Sequence, residues 1–316
     1  MGNNQKKKNK TGLKTIAIHH GKSYADETGC VMPPIFATST FEHGNKANFD
    51  YTRSGNPNFS ILENVLKGIE NSNYCTVFNS GISAVTAIVS SLKSGDTILC
   101  ESNLYGCTIR MFEKIFRKFG IQTSYFDFTN KEYIQQISKV KPSLIWLESP
   151  TNPLLKILNL KEICSEANLR KIPVVVDNTF CTAVIQKPLE LGATLSLIST
   201  TKFINGHSDA LGGAVITNDE SWNNKMIFSQ KSLGLNPSPF DCWLITRGLK
   251  TLPLRITQQT ENAHFIANEL NSHKLIDQLI YPFNKNHPQF ELAKSQMKIG
   301  GSMITLKLKL NKNDTF

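Results

Sequence analysis

An α/β fold, with a mixed but mainly parallel sheet covered by helices on both faces, is the class this 316-residue chain predicts. Three observations carry it. Short apolar runs alternate with amphipathic segments along the chain. The runs are rich in Ile, Val, Leu and Phe with little polar alternation, as expected of strands buried on both faces. Residues able to do chemistry fall directly after several of these runs, at the sheet edge where ligands bind in open α/β sheets.

The predicted strands are Thr97–Glu101, Thr123–Phe128, Ser143–Leu147, Pro173–Val176, Leu195–Ser199 and Gly212–Thr217. Between them, Ile61, Leu62, Val65, Leu66 and Ile69 share one face of a helix. Ala84–Leu92 is a second helix, closed by Ser94-Gly95; Tyr133, Ile134 and Ile137 mark a third, and Leu160–Leu169 is a fourth. The turn-rich Gly234–Pro239 is a joint. A long helical stretch from Phe240 to about Leu270 follows it. Then come an apolar run at Leu275–Tyr281, a helix at Gln289–Met297, and a strand in which Ile304, Leu306, Leu308 and Leu310 alternate with Thr305, Lys307 and Lys309. The expected division is a basic tail over 1–12, an N-terminal arm over 13–55, a large domain over 56–240 and a smaller α+β unit over 241–316. That last unit ends on a strand with no helix to cover it and exposes an edge near Ile304–Leu310.

Composition narrows the function class. Hydrophobic residues are 40% and charged residues 19%, the balance of a globular protein and not of a disordered one. No apolar run approaches the roughly 20 residues that span a bilayer, so no membrane protein is expected. The net charge of +10 is partly local, with Lys6, Lys7, Lys8 and Lys10 in the tail. No basic cluster interleaved with aromatics follows, which argues against nucleic acid and for an anionic cofactor or substrate. Cys30, Cys75, Cys100, Cys107, Cys164, Cys181 and Cys242 are scattered, odd in number and form no C-x-x-C pair. Reduced thiols in a cytoplasmic protein are the expectation. The tail has no apolar segment behind its lysines and so is not a signal peptide, and Lys6 breaks the myristoylation pattern that Gly2 opens.

Six segments could carry chemistry. In Ser199-Thr200-Thr201-Lys202, a lysine follows a buried strand among hydroxyls and suits a Schiff base once burial or a nearby cation frees its amine; alone it also reads as a surface lysine. Ser199 and Thr201 could donate to phosphate oxygens. Asp177 ends Val174-Val175-Val176, and a buried acid there wants a cationic partner such as a protonated ring nitrogen, or else caps a helix. Asn79-Ser80-Gly81-Ile82 opens a helix whose free N–H groups favour phosphate, although many helices start so. Tyr51-Thr52-Arg53 offers a guanidinium and a hydroxyl to phosphate, or is an ordinary turn. Tyr105 could stack on a planar ring, or belong to the core. Asn152, in Glu148-Ser149-Pro150-Thr151-Asn152-Pro153, offers an amide to a ring hydroxyl or a carboxylate. Together they place a Lys, an Asp, a Tyr, an Asn and two phosphate turns on one sheet edge.

YTRSGNP, SGISA, LYGCT, ESPTNP, VVVDNTF and STTKFINGHSDALGG, in this order, resemble the trans-sulfuration (Cys/Met metabolism) family of pyridoxal-phosphate enzymes, as does the later SLGLNPSPFDCWLITRGLKTLPLR. The resemblance runs from about Thr15 to the end. It implies a type I, aspartate-aminotransferase-like fold, pyridoxal 5'-phosphate as cofactor, amino-acid substrates, and a homotetramer built from dimers. It further implies Lys202 as the Schiff-base lysine and proton shuttle, Asp177 as the pyridinium partner and Tyr105 as the ring-stacking tyrosine. Gly81, Ile82, Ser199 and Thr201 then bind the phosphate, Tyr51 and Arg53 reach the phosphate of the neighbouring subunit, and Asn152 lies near the ring and the substrate.

The chain departs from the family at Asn58, where Thr is usual, at Cys107, where Gly is common, and at Ile82-Ser83, where Met-Ala is commoner. The family continues past Phe316, so the resemblance implies an incomplete C-terminal unit, and the family's carboxylate-clamping arginine has no match here. ESPTNPLL is most like the γ-synthase branch. The reaction this implies is γ-replacement on an O-acylated homoserine by cysteine, giving cystathionine for methionine biosynthesis. Cystathionine γ-lyase or another C–S lyase of the same family is the alternative enzyme, and a non-catalytic or defective cofactor-binding chain is the alternative of another class.

Overall fold

The computed structural model describes residues 11–20 and 29–309, so the basic segment 1–10 and Leu310 lie outside the described residues. The chain enters through α1 (Leu13–His19) and an extended arm, then forms α2 (Pro57–Glu70). Asn56 caps α2 by accepting the Asn58 N–H at 2.9 Å, Pro57 fills the first helical position, and Asn71 ends the helix in the left-handed conformation. There follow β1 (Tyr74–Phe78), α3 (Gly81–Val89), β2 (Thr97–Glu101), α4 (Gly106–Lys114) and β3 (Gln122–Phe126). Next come α5 (Tyr133–Val140), β4 (Leu144–Glu148), α6 (Leu160–Leu169), β5 (Val174–Asp177), α7 (Thr182–Ile185), β6 (Leu195–Ile198), β7 (Gly213–Thr217) and α8 (Glu220–Ser232).

The seven strands form one sheet in the order β1-β7-β6-β5-β4-β2-β3. β2, β3, β4, β5 and β6 pair in parallel, while β7 runs antiparallel to both β1 and β6. β1 therefore points the same way as the other five, and six strands end on one edge. β4, β6 and β7 in the middle of the sheet are buried end to end, as their unbroken apolar runs require. One face packs under α3 and α8, with Ala84, Ile88, Trp222 and Met226 against Val175, Leu197 and Val215. Opposite are α2, supplying Leu62, Val65 and Ile69, and α6, supplying Ile163 and Ala167.

Each of the six predicted strands forms, within a residue or two of its expected bounds. β1 is not among them, because Tyr74-Cys75-Thr76-Val77-Phe78 is short and broken by Cys and Thr. One expectation is corrected. The long helix from Phe240 is two helices, α9 (Pro239–Leu249) and α10 (Leu252–Leu270). Pro253 lacks an N–H and so fits only the first turn of a helix, which puts the break at Lys250-Thr251. Beyond α10, β8 (Ile276–Ile280) and β9 (Thr305–Leu308) pair antiparallel around α11 (Phe290–Gln296). Leu306 and Leu308 are each 40% exposed, so the apolar side of β9 is only partly covered among the described residues.

Glu70 ends α2 fully buried, and neither carboxyl oxygen has a hydrogen-bond partner among the described residues. Burial pushes its pKa up to about 8, against the attraction of Lys187. The unfolded chain gives up this proton near the ordinary carboxyl pKa, whereas the folded chain holds it to about 8. Stability should therefore fall as pH rises across that interval. Thermal melts of the chain and of Glu70→Gln should agree near pH 5 and separate by pH 8 to 9, the variant melting higher. Parallel curves would contradict the buried, unpaired carboxyl.

Candidate active site

Five of the six co-directional strands deliver side chains to one cavity of about 450 Å³ at their C-terminal edge. The turn after β1 brings Gly81 and Ile82, and the turn after β2 brings Tyr105. β4 and the loop after it bring Glu148 and Asn152, β5 brings Asp177, and the turn after β6 brings Ser199 and Lys202. Seven of the ten residues singled out in the sequence thus line one space.

The other three are placed elsewhere. The Thr201 hydroxyl is held by Gly212, donating to its carbonyl at 3.1 Å and accepting its N–H at 3.0 Å. Arg53 donates to the Lys231 carbonyl at 2.9 Å and lies over the Tyr51 ring, 5.4 Å from its centroid. Tyr51 is 40% exposed, so this pair faces outward from its own chain.

The turn after β1 is shaped for an anion. Ser80 caps α3 by accepting the Ser83 N–H at 3.1 Å, and Gly81 and Ile82 at the start of the helix line the cavity. Gly81 is required by close approach: a Cβ there would stand 2.8 Å from the Ser199 Cβ, so any side chain would part these two cavity walls. Ser199 is itself fixed, donating its N–H to the Thr179 hydroxyl at 2.9 Å.

Asp177 stands at the end of β5 in register with Glu148 at the end of β4. Its carboxyl accepts the Thr179 N–H at 3.0 Å, and the Thr179 side chain also favours its charged form. These bonds do not offset burial, which raises its pKa. Glu148 is raised well above the usual carboxyl range by burial and by the Asp177 charge. A cation brought against Asp177 would oppose the effect of burial and favour its charged form. Lys202 extends from its turn with no ion-pair or hydrogen-bond partner for its ammonium among the described residues. An amine free to react, an acid lacking a cation and an anion cradle fit pyridoxal phosphate, which presents an aldehyde, a ring nitrogen and a phosphate.

Two positions are absent from the sequence candidates. Asn152 is singled out in its run and Glu148 is not, although a second acid ending a buried strand was the available signal. Arg255 of α10 donates to the Phe203 carbonyl at 2.8 Å, the Ile204 carbonyl at 3.1 Å and the Gly248 carbonyl at 2.9 Å. It braces the turn after Lys202, and nothing local in Thr251-Leu252-Pro253-Leu254-Arg255 announces that role.

Fold and cavity define a pyridoxal-phosphate-dependent enzyme of the mainly parallel α/β class. The chain belongs to the Cys/Met metabolism PLP-dependent enzyme family, whose model matches residues 14–316. It is 40% identical over 301 residues to a probable cystathionine gamma-synthase of Herpetosiphon aurantiacus, covering 94% of each chain. It is 39% identical over 299 residues to a cystathionine gamma-lyase of Dictyostelium discoideum, covering 93% of this chain and 77% of the relative. The crystal structure of cystathionine gamma synthase from Xanthomonas oryzae pv. oryzae in complex with cystathionine superposes with a TM-score of 0.92 at 36% identity, over 96% of this chain and 79% of that one. The chain is thus an enzyme related to those of sulfur amino-acid metabolism. No described helix is long and apolar enough to cross a membrane.

In the cofactor-free chain, Asp177→Asn keeps the acceptor for Thr179 and removes the buried charge. It should raise the melting temperature, by a margin that grows as pH rises from 4 toward neutrality. A pH-independent difference in the melts would show that Asp177 is not desolvated.

Proposed function

We propose that the chain is a cystathionine γ-synthase-like enzyme that replaces the γ-substituent of an O-acylated homoserine with cysteine. The observation that carries the assignment of the site is the convergence of Lys202, Asp177 and the α3 N-terminus on one cavity.

The chemistry supplied by bound pyridoxal phosphate is an electron sink for the charge left at the substrate Cα. Lys202 Nζ would hold the cofactor covalently; displaced from it by the substrate's amino group, the freed amine would take the proton from the substrate Cα and return protons along the side chain. Its lack of an ion-pair partner leaves it free for both tasks. The Asp177 carboxylate keeps the ring nitrogen protonated, and burial makes that pairing strong. Tyr105 would stack on the ring, and Asn152 would offer its amide to the ring hydroxyl and the substrate. Gly81 and Ile82 bind the phosphate through backbone N–H groups, with Ser199 and Thr201 supplying hydroxyls. Thr201 must release Gly212 or share its hydrogen bond to do so.

Tyr51 and Arg53 are assigned to a cavity in a second copy of the chain, since both are exposed and neither lines the cavity of its own. A dimer is then the smallest complete unit, and two dimers make the tetramer. No disulfide joins the seven cysteines, which suits a cytoplasmic setting. The similarity to the Herpetosiphon relative supports the synthase branch, and methionine biosynthesis is the setting proposed with it. The second reading, cystathionine γ-lyase, is favoured by the nearly equal identity to the Dictyostelium relative.

With O-succinyl- or O-acetylhomoserine plus cysteine, cystathionine is expected as the main product. Release of 2-oxobutanoate and cysteine from cystathionine at a higher rate would select the lyase, and no turnover of either with cofactor bound would select a non-catalytic relative. Mixing Arg53→Ala subunits with Lys202→Ala subunits should restore activity, because one of the two sites in a mixed dimer is then intact. No recovery from chains shown to exchange subunits would place Arg53 outside the site.

A further inference from the structure

Glu148 has no part in the mechanism above, yet it lines the same cavity as Lys202 and is only 6% exposed. Its Oε2 accepts the Tyr105 N–H at 2.9 Å. The Asn152 backbone N–H lies against the same carboxyl and favours its charged form. These donors come from two separate crossovers, one opening α4 and one leaving β4. The Tyr105 side chain makes no capping bond at the start of α4, so the Glu148 carboxyl is the acceptor brought to that positive helix end. Burial and the Asp177 charge on the next strand both disfavour an acid here. An apolar residue of the same size would escape that cost but leave two N–H groups without their acceptor.

We infer that Glu148 is a positioning residue, its carboxyl clamping the backbones of Tyr105 and Asn152 so that the phenol ring and the amide are held in register about the cofactor ring. The inference rests on the proposed assignment of Tyr105 and Asn152 to that ring. Glu148 acts through these two residues, and the clamp exists whether or not the cofactor is bound.

The test uses the full chain and two variants. Glu148→Met keeps the volume and removes both charge and acceptor. Glu148→Gln keeps the length and one acceptor oxygen. Amide hydrogen exchange is followed at Tyr105 and Asn152 in the cofactor-free protein, with the amides of β6 as internal reference. Affinity for pyridoxal phosphate is titrated separately.

In Glu148→Met, exchange at Tyr105 and Asn152 should rise about 10- to 100-fold with β6 unchanged, and cofactor affinity should fall by a similar factor. Glu148→Gln should recover most of both. Exchange at the two amides unchanged in Glu148→Met, or raised equally in β6, would overturn the clamp and leave Glu148 a residue of general stability. If Glu148→Met does not fold, Glu148→Gln decides: exchange and affinity near those of the parent chain uphold the clamp, and loss of both without loss of stability overturns it. Failure of the parent chain to bind pyridoxal phosphate would sink the site assignment, while the exchange measurement would still decide the clamp.

Discussion

Buried carboxyl groups at the ends of neighbouring strands set the problem that the rest of this edge of the sheet solves. Glu101 ends β2, Glu148 ends β4 and Asp177 ends β5. A carboxyl taken out of water must find donors or give up its charge. Glu101 is satisfied by the Ser102 hydroxyl and by the Asn103 and Phe128 N–H groups at 2.8–3.0 Å, which folds the chain after β2 back over the strand end. Glu148 gathers the Tyr105 and Asn152 N–H groups. Asp177 has Thr179 alone. The three acids thus run from one serving the fold to one left for a ligand, and the cavity lies where the last is unsatisfied.

How much of this was legible depends on the range of each signal. Six strands, the helix at Leu160–Leu169 and most of the cavity residues were readable because local apolar runs, and the few residues directly after each run, determine them. Lys202, Asp177, Ser199 and Gly81 each sit within a few residues of a strand end, so parallel strands bring them together without further information. β1 is short and mixed in composition and gave no periodic signal. The break between α9 and α10 was signalled by Pro253 but was hidden inside an otherwise continuous helical pattern. Arg255 and Glu148 act on backbone groups distant in sequence, and no local pattern reports such a bond.

Tyr51 and Arg53 show the same limit from the other side. Their motif was plain in the sequence, and within one chain they lie apart from the cavity, held by Lys231 and by each other. A sequence motif names the chemistry a segment offers without saying which chain receives it. The fold and family are settled by the sheet and by the relatives. The choice between replacement and elimination rests on residues that shape the pocket around the departing group, which the shared cofactor chemistry does not distinguish.

The central claim is that Lys202 is the amine that holds pyridoxal phosphate in this cavity. It is tested most directly by adding the cofactor to the purified chain, reducing with borohydride and locating the modified residue by peptide mass. The expected result is a single pyridoxyl group on Lys202, lost in Lys202→Ala. Label on another lysine, or none on a folded chain, would contradict it.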